Sequence, residues 1–300
     1  MRDAEVEAVI AAIQELDPDG ARTAAVLRST IDQLYDGNRT GRYKWDQLFK
    51  TEKTHCGTLV EINMQREFEF ADGELMDFEI ASFEVDCKFS QNKAKWMIPL
   101  EAREQILLGL WCNDEESLWS MGVVRASESA LSQGGNRDRK TSLTKAGREQ
   151  VVWLFDDAPL PPNVLLQLPN DVVEHILEPT GDRQGSERIR RLFRLAHGVR
   201  ISRTAVETVA QQKDSMKRVR GNGGARDALR PEGILILGQF KVHQQIARDL
   251  GLPVPQAGES VAARVCRTGR GGPGVNIEGE NWRLANADDP VEPAPDIPYR

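Results

Sequence analysis

Residues 73 to 90, "GELMDFEIASFEVDCKFS", restrict the fold more than any other stretch of the chain. From Ser82 to Ser90 polar and apolar residues alternate without a break: Ser82, Glu84, Asp86, Lys88 and Ser90 fall on one face, Phe83, Val85, Cys87 and Phe89 on the other. A period of two predicts a strand with one buried side. Just upstream, Met76, Phe78 and Ile80 alternate with Leu75, Asp77 and Glu79, so a second strand carries Asp77 away from its apolar face. A hairpin or neighbouring strand closes the spacing between Asp77 and Asp86, and Lys88 shares the Asp86 face roughly 6 to 7 Å further along.

Around this pair the chain predicts helices near residues 3 to 16, 20 to 34 and 52 to 68, and strands at 75 to 80, 82 to 90, 105 to 112 and 118 to 125. Three hundred residues, 40% of them hydrophobic, suffice for two domains with separate cores. Four prolines in "DDAPLPPNVLLQLPND" mark the boundary, giving a first domain over 1–157, a linker over 158–170 and a second, mainly helical domain over 171–267. The tail, 268–300, has little apolar periodicity and is expected to be extended or disordered.

Charge divides the same way. The chain carries a formal net charge of −7, yet between Gly181 and Arg230 thirteen Arg or Lys face five Asp or Glu, a surplus of eight positive charges fit for a phosphate surface. Within it, "SRTAVETVAQQKDSMKRVRGNGG" predicts a helix capped by Ser202, a break near Gln212, and a second helix with Lys217, Arg218 and Arg220 in helix-turn-helix fashion. "GILILGQF" after it suits a wing-like strand. The first 120 residues are acidic, and an acidic region that meets DNA needs metal ions.

Asp-x8-Asp-x-Lys resembles the core of the PD-(D/E)xK nucleases, in which two carboxylates hold Mg2+ against a scissile phosphate and an ammonium assists the attacking water. Met76 stands where that superfamily has proline. With "LYDGNRTGRYKWDQL", "KTEKTHCGTLVEINMQREF" and the basic second half, residues 5 to 265 resemble the NaeI family of type II restriction endonucleases. The resemblance implies an α/β endonuclease domain, a mixed sheet flanked by helices, followed by a helix-turn-helix or winged-helix-like DNA-binding domain. It makes Asp77 and Asp86 metal ligands, Glu61 a third acid from the preceding helix, and Lys88 the residue that assists the water. It further implies cleavage of double-stranded DNA at a GC-rich palindrome (GCCGGC for the family's namesake), a homodimer, and activation by a second duplex on the C-terminal domain.

"LYDGNR", residues 34 to 39, also resembles the Lys-x-Asp-Gly-x-Arg signature of DNA ligases and capping enzymes. Leu34 replaces the lysine, and leucine offers no amine to attack a nucleotide phosphate. The segment therefore reads as a helix end followed by a tight Asp-Gly turn, within the endonuclease domain in this family, with Arg39, Arg42 and Lys44 placed to touch phosphate. No Gly-x-x-x-x-Gly-Lys-Ser/Thr loop occurs, so neither ATP nor NAD is expected as a cofactor.

Other classes narrow quickly. No apolar run reaches the roughly 18 to 20 residues of a membrane span, and "MRDAEVEAVIAAIQELDPDG" reads as an amphipathic helix, so a cytoplasmic protein is expected. Cys56, Cys87, Cys112 and Cys266 form no C-x-x-C pair and read as reduced, buried thiols, and the four histidines lack metal-ligand spacing. Two rival readings remain open from the residues alone: a non-catalytic helix-turn-helix regulator, and a ligase or topoisomerase.

Overall fold

The computed structural model describes residues 3–297 apart from 135–138, 180, 182–183, 221–222, 270–271 and 273. The chain divides into two compact units, Met1–Leu34 with Lys44–Pro162, and Tyr35–Tyr43 with Asn163–Arg300.

The first unit is built on six strands in chain order: β1 (Ala71–Asp72), β2 (Phe78–Ile80), β3 (Phe83–Ser90), β4 (Ile106–Asn113), β5 (Leu118–Arg125) and β6 (Val152–Pro159). Only β3 and β4 run parallel; the other neighbours are antiparallel. β4, "ILLGLWCN", is buried along all but its last residue, as a central strand covered on both faces must be. Helix α1 (Ala4–Leu16) buries Val6, Val9, Ile10 and Ile13, a stripe at helical spacing. Its cap, Asp3, accepts from the N–H groups of Glu5 and Val6 and pairs with Arg125 at the end of β5. Helix α2 spans Ala21–Tyr35.

A third short helix, α3 (Gly37–Thr40), belongs to the second unit, and α4 (Lys50–Phe68) returns to the first. Cys56, Val60, Met64 and Phe68 recur every fourth residue on the buried side of α4, which packs on β3. Glu61 follows Val60 directly, at the edge of that stripe. The first unit also holds α5 (Lys145–Glu149).

The second unit holds α6 (Val164–Gln167), α7 (Asn170–Leu177), α8 (Gln184–Leu195), α9 (Arg203–Ala210), α10 (Ala225–Leu229) and α11 (Lys241–Asp249). The apolar faces of α6 to α10 pack around Ile189, Phe193, Val206 and Leu229, whereas α11 places Ile246 and Ala247 in a second core with Leu237, Val261 and Trp282. Here the expectation of a mainly helical domain needs correction, because a five-stranded sheet lies beside them: β10 (Val275–Ile277), β11 (Glu280–Leu284), β9 (Ser260–Arg267) and β7 (Arg200–Ile201) in that order, with β8 (Ile234–Leu237) also paired to β9.

Four further expectations change. The proline-rich stretch is no free linker: β6 runs to Pro159, α6 lies inside the stretch, and Leu160, Val164 and Leu165 are buried. The tail is not without structure: β10 and β11 pair with each other and β11 with β9, while Trp282, Ala294 and Ile297 are buried. The ligase-like segment clusters with the second unit rather than the endonuclease half. α2 ends at Tyr35, Asp36 takes a left-handed conformation (φ 47°), and α3 packs on α9 so closely that a Cβ on Gly37 would run into the Thr208 side chain. The signature's glycine serves this close approach.

Finally, Lys217, Arg218 and Arg220 do not lie on an α-helix. α9 starts at its Ser202 cap as expected, but Gln211 (φ 47°) and Asp214 (φ 61°) reverse the chain, leaving a 3-10 turn at Ser215–Arg218. Gly223 (φ 89°) separates it from α10. Two reversals within four residues leave no room for α-helical hydrogen bonds.

Candidate active site

β2 and β3 form a two-residue hairpin through Ala81 and Ser82, both at positive φ (54° and 67°), the backbone that matches strand twist in such loops. Its register pairs Phe78 with Val85 and Ile80 with Phe83. Continued by one step, it sets Asp77 across from Asp86. The ladder stops short of that pair, and Asp77 instead turns one oxygen, Oδ2, to the Cys87 N–H at 2.7 Å.

Lys88 joins the two acids. Its ammonium donates to Asp86 Oδ1 at 2.5 Å and to the Cys87 carbonyl at 3.0 Å, and lies 3.6 Å from Asp77 Oδ2. The group is withdrawn from water: Asp86 is 5% exposed, although the alternation alone places it on an open face. Burial raises the Asp86 carboxyl to about 6, with the Asp77 charge adding to the rise and Lys88 opposing it. For Lys88 burial favours deprotonation, but Asp86 and Asp77 outweigh it and the ammonium is held above the usual lysine range. Glu61 feels the same centre from α4: partial burial, then the negative charge of Asp77 and Asp86, raise its carboxyl against the pull of Lys88.

The strand pair thus brings Asp77, Asp86 and Lys88 together, with Glu61 within electrostatic range. Among the described residues no three carboxylate, thiol or imidazole side chains converge as a closed metal cage, and the geometry gives a reason. Lys88 occupies the space between the two aspartates that a cation would share with them. The donor set still fits a hard divalent ion, since Asp86 Oδ2 is buried without any hydrogen-bond partner and two aspartates share one ammonium, with the Glu61 carboxyl within their electrostatic reach. Cys87 faces inward, and burial pushes its thiol well above the usual range, which makes it inert.

The expected phosphate contacts divide between the two units. Arg39 is exposed and pairs with Asp36, and Arg42 donates to the Tyr35 carbonyl, both in the second unit; Lys44 belongs to the first, where its backbone N–H donates to Gln47. Lys217, Arg218 and Arg220 are all exposed on the second unit. Glu84, read from the alternation only as a polar-face residue, turns its carboxylate to the backbone of residues 74 to 76, a role that period two does not reveal.

A mixed sheet flanked by helices and bearing such an acid–lysine centre is consistent with the fold of restriction endonucleases. The family described as Restriction endonuclease NaeI matches residues 7–293. The chain is also 50% identical over 304 residues to the Type II restriction enzyme NaeI of Lentzea aerocolonigenes, covering 99% of this chain and 96% of that one. The protein is therefore a site-specific endonuclease of type II, an enzyme whose substrate is double-stranded DNA. It belongs to the NaeI restriction endonuclease family. Membership sets aside the non-catalytic regulator. Among the described residues no helix is long and apolar enough to cross a membrane.

Proposed function

We propose that the protein is a Mg2+-dependent, type IIE enzyme that works in the cytoplasm as a homodimer. It cleaves both strands of a short GC-rich palindrome, GCCGGC by likeness to the family's namesake, and is activated by a second copy of that site on its C-terminal unit. The observation that carries this reading is the Asp77–Asp86–Lys88 cluster, assembled by β3 and the residue just before β2, with an unpaired buried oxygen on Asp86. Asp77 and Asp86 hold the metal, with Glu61 beside them. Mg2+, held there, would supply Lewis-acid chemistry at the scissile phosphate.

The chain's own groups do the rest. The Cys87 N–H fixes the orientation of the Asp77 carboxylate. Lys88 stays protonated at neutral pH, so it acts as a donor, orienting the attacking water or stabilising charge that builds on the phosphate, and not as the base. Two-fold symmetry of a dimer suits a palindrome. On the second unit, the exposed Lys217, Arg218 and Arg220, with Arg39 and Arg42, and Lys44 on the first unit, supply positive charge for DNA phosphates.

Incubation with supercoiled plasmid and Mg2+ tests the reading: discrete fragments, stimulated by added cognate duplex, are expected. Relaxed closed circles would point to a topoisomerase instead, and linear products indifferent to added duplex would remove the second-site activation.

A further inference from the structure

Asp77 sits at the end of a loop, residues 73 to 77, that joins β1 to β2 and precedes the first ladder residue, Phe78. Sheet pairing therefore does not hold it. Burial holds the loop weakly as well: Met76 enters the core, but Leu75 is 76% exposed. What does grip the loop is one carboxylate. Glu84 of β3 accepts three consecutive backbone N–H groups, with Oε1 on Glu74 at 2.7 Å and Oε2 on Leu75 at 3.1 Å and Met76 at 2.7 Å. Successive N–H groups that converge on one anion make a nest, and these bonds hold the Glu84 carboxyl below its usual range, so it stays ionised. Gly73 leaves room for the turn itself, because a Cβ there would run into the Met76 carbonyl oxygen and lie 2.8 Å from Glu84 Oε2.

We infer that Glu84 is a positioning residue, which sets Asp77 against Asp86 by locking the backbone of residues 74 to 76. It touches neither substrate nor metal and acts only through the loop. The inference rests on the metal-centre reading above. It also gives the polar face of β3 two separate duties: Asp86 and Lys88 form the centre, and Glu84, two residues earlier, fixes the partner that comes from the other strand.

The test uses the full chain. Mn2+ is titrated calorimetrically into wild type, Glu84→Ala, Glu84→Gln, Gly73→Ala and Asp77→Ala, and amide hydrogen exchange is followed at residues 74 to 76. Glu84→Ala is expected to weaken Mn2+ binding about tenfold, the scale seen when an outer-shell partner of a metal ligand is lost, and to speed exchange at the three amides. Glu84→Gln retains one acceptor oxygen and falls between, and Gly73→Ala, whose Cβ meets both the Met76 carbonyl and Glu84 Oε2, disturbs the same loop with the Glu84 carboxylate kept and moves both readouts in the same direction. Because the ligands themselves remain, cleavage by these variants recovers at raised Mg2+, whereas Asp77→Ala does not recover. If Asp77→Ala weakens Mn2+ binding but neither Glu84 variant does, the metal centre stands and the positioning role is overturned. If Asp77→Ala binds Mn2+ as wild type does, the metal reading itself fails and the inference with it. Should Glu84→Ala not fold, the comparison of Glu84→Gln with wild type decides, and a lower melting temperature with unchanged Mn2+ affinity also overturns the role.

Discussion

Lys88 and Lys217 are both lysines beside aspartates, and they serve opposite purposes. Lys88 is 19% exposed, between Asp86 and Asp77; Lys217 is 70% exposed, 3.0 Å from an equally open Asp214. Two unit charges 4 Å apart interact by about 1 kcal/mol in water but about 4 kcal/mol near a protein surface of lower effective dielectric. Charges in the first group therefore govern one another and are available for chemistry. Those in the second are screened by salt and contribute long-range attraction to a polyanion.

The sharpest way to break this contrast is to remove one member of the buried group. Asp86→Ala and Lys88→Ala are each expected to lower single-turnover cleavage by on the order of a thousandfold or more, a barrier increase of about 4 kcal/mol. Retardation of cognate duplex in Ca2+ should stay close to wild type. Full activity in either variant would remove the centre from the reaction.

Replacing Lys217, Arg218 and Arg220 together with alanine probes the exposed group. If all three meet phosphate, the slope of log affinity against log salt flattens by about two to three units, at about 0.9 per phosphate. Cleavage at saturating DNA is unaffected, while stimulation by added duplex falls. Lost base preference with an unchanged slope would mean that these residues read bases, and no change in slope, preference or stimulation would mean that this segment does not meet DNA.

A milder probe is pH. Asp86 titrates near 6 because burial, reinforced by Asp77, outweighs Lys88, so cleavage should fall about tenfold per unit as pH drops below that point and the ligand protonates. Stability runs the other way. A carboxyl raised above its unfolded value of 3.8 stabilises the folded state most at pH below that value, and the contribution is lost as pH rises through about 6. Asp86→Asn is therefore expected to be more stable than wild type at pH 7.5 by about 1 to 3 kcal/mol, an advantage that shrinks toward pH 4. Lys217→Ala should shift unfolding by less than about 0.5 kcal/mol at either pH. Equal pH responses in the two variants, measured by urea denaturation, would erase the distinction between the regions.

The same two regions show what the sequence makes legible. Helices at 3 to 16, 20 to 34 and 52 to 68 and strands at 82 to 90 and 118 to 125 emerge within a residue or two of their observed ends, because long apolar periods fix which face is buried. That periodicity also brings Asp77, Asp86 and Lys88 to one side. It does not reveal that Asp86 is buried or that Glu84 turns to residues 74 to 76, since both depend on the hairpin's neighbours and on side-chain direction. In the basic segment, helix-forming Lys and Arg are overruled by left-handed Gln211 and Asp214, which no spacing announces. The tail misleads for another reason: β10 and β11 are three and five residues long and bury little beyond Ile277 and Trp282, too short for a period to register.

Cys87 provides the smallest effect and the finest test of what the centre uses. It lies between Asp86 and Lys88 in sequence, and both its neighbours are placed in the chemistry, but the site engages only its backbone: the N–H donates to Asp77 and the carbonyl accepts from Lys88. Its side chain points the other way and is buried. Cys87→Ser keeps both backbone contacts and sets a hydroxyl where a thiol packed, at a cost of about 1 to 3 kcal/mol if that hydroxyl finds no partner. The unfolding midpoint in urea should move by that amount while cleavage stays within about twofold of wild type, because the backbone geometry that holds Asp77 and Lys88 is unchanged. A hundredfold loss of cleavage with native stability would place the thiol in the chemistry and overturn the division between a polar face that reacts and an apolar face that packs.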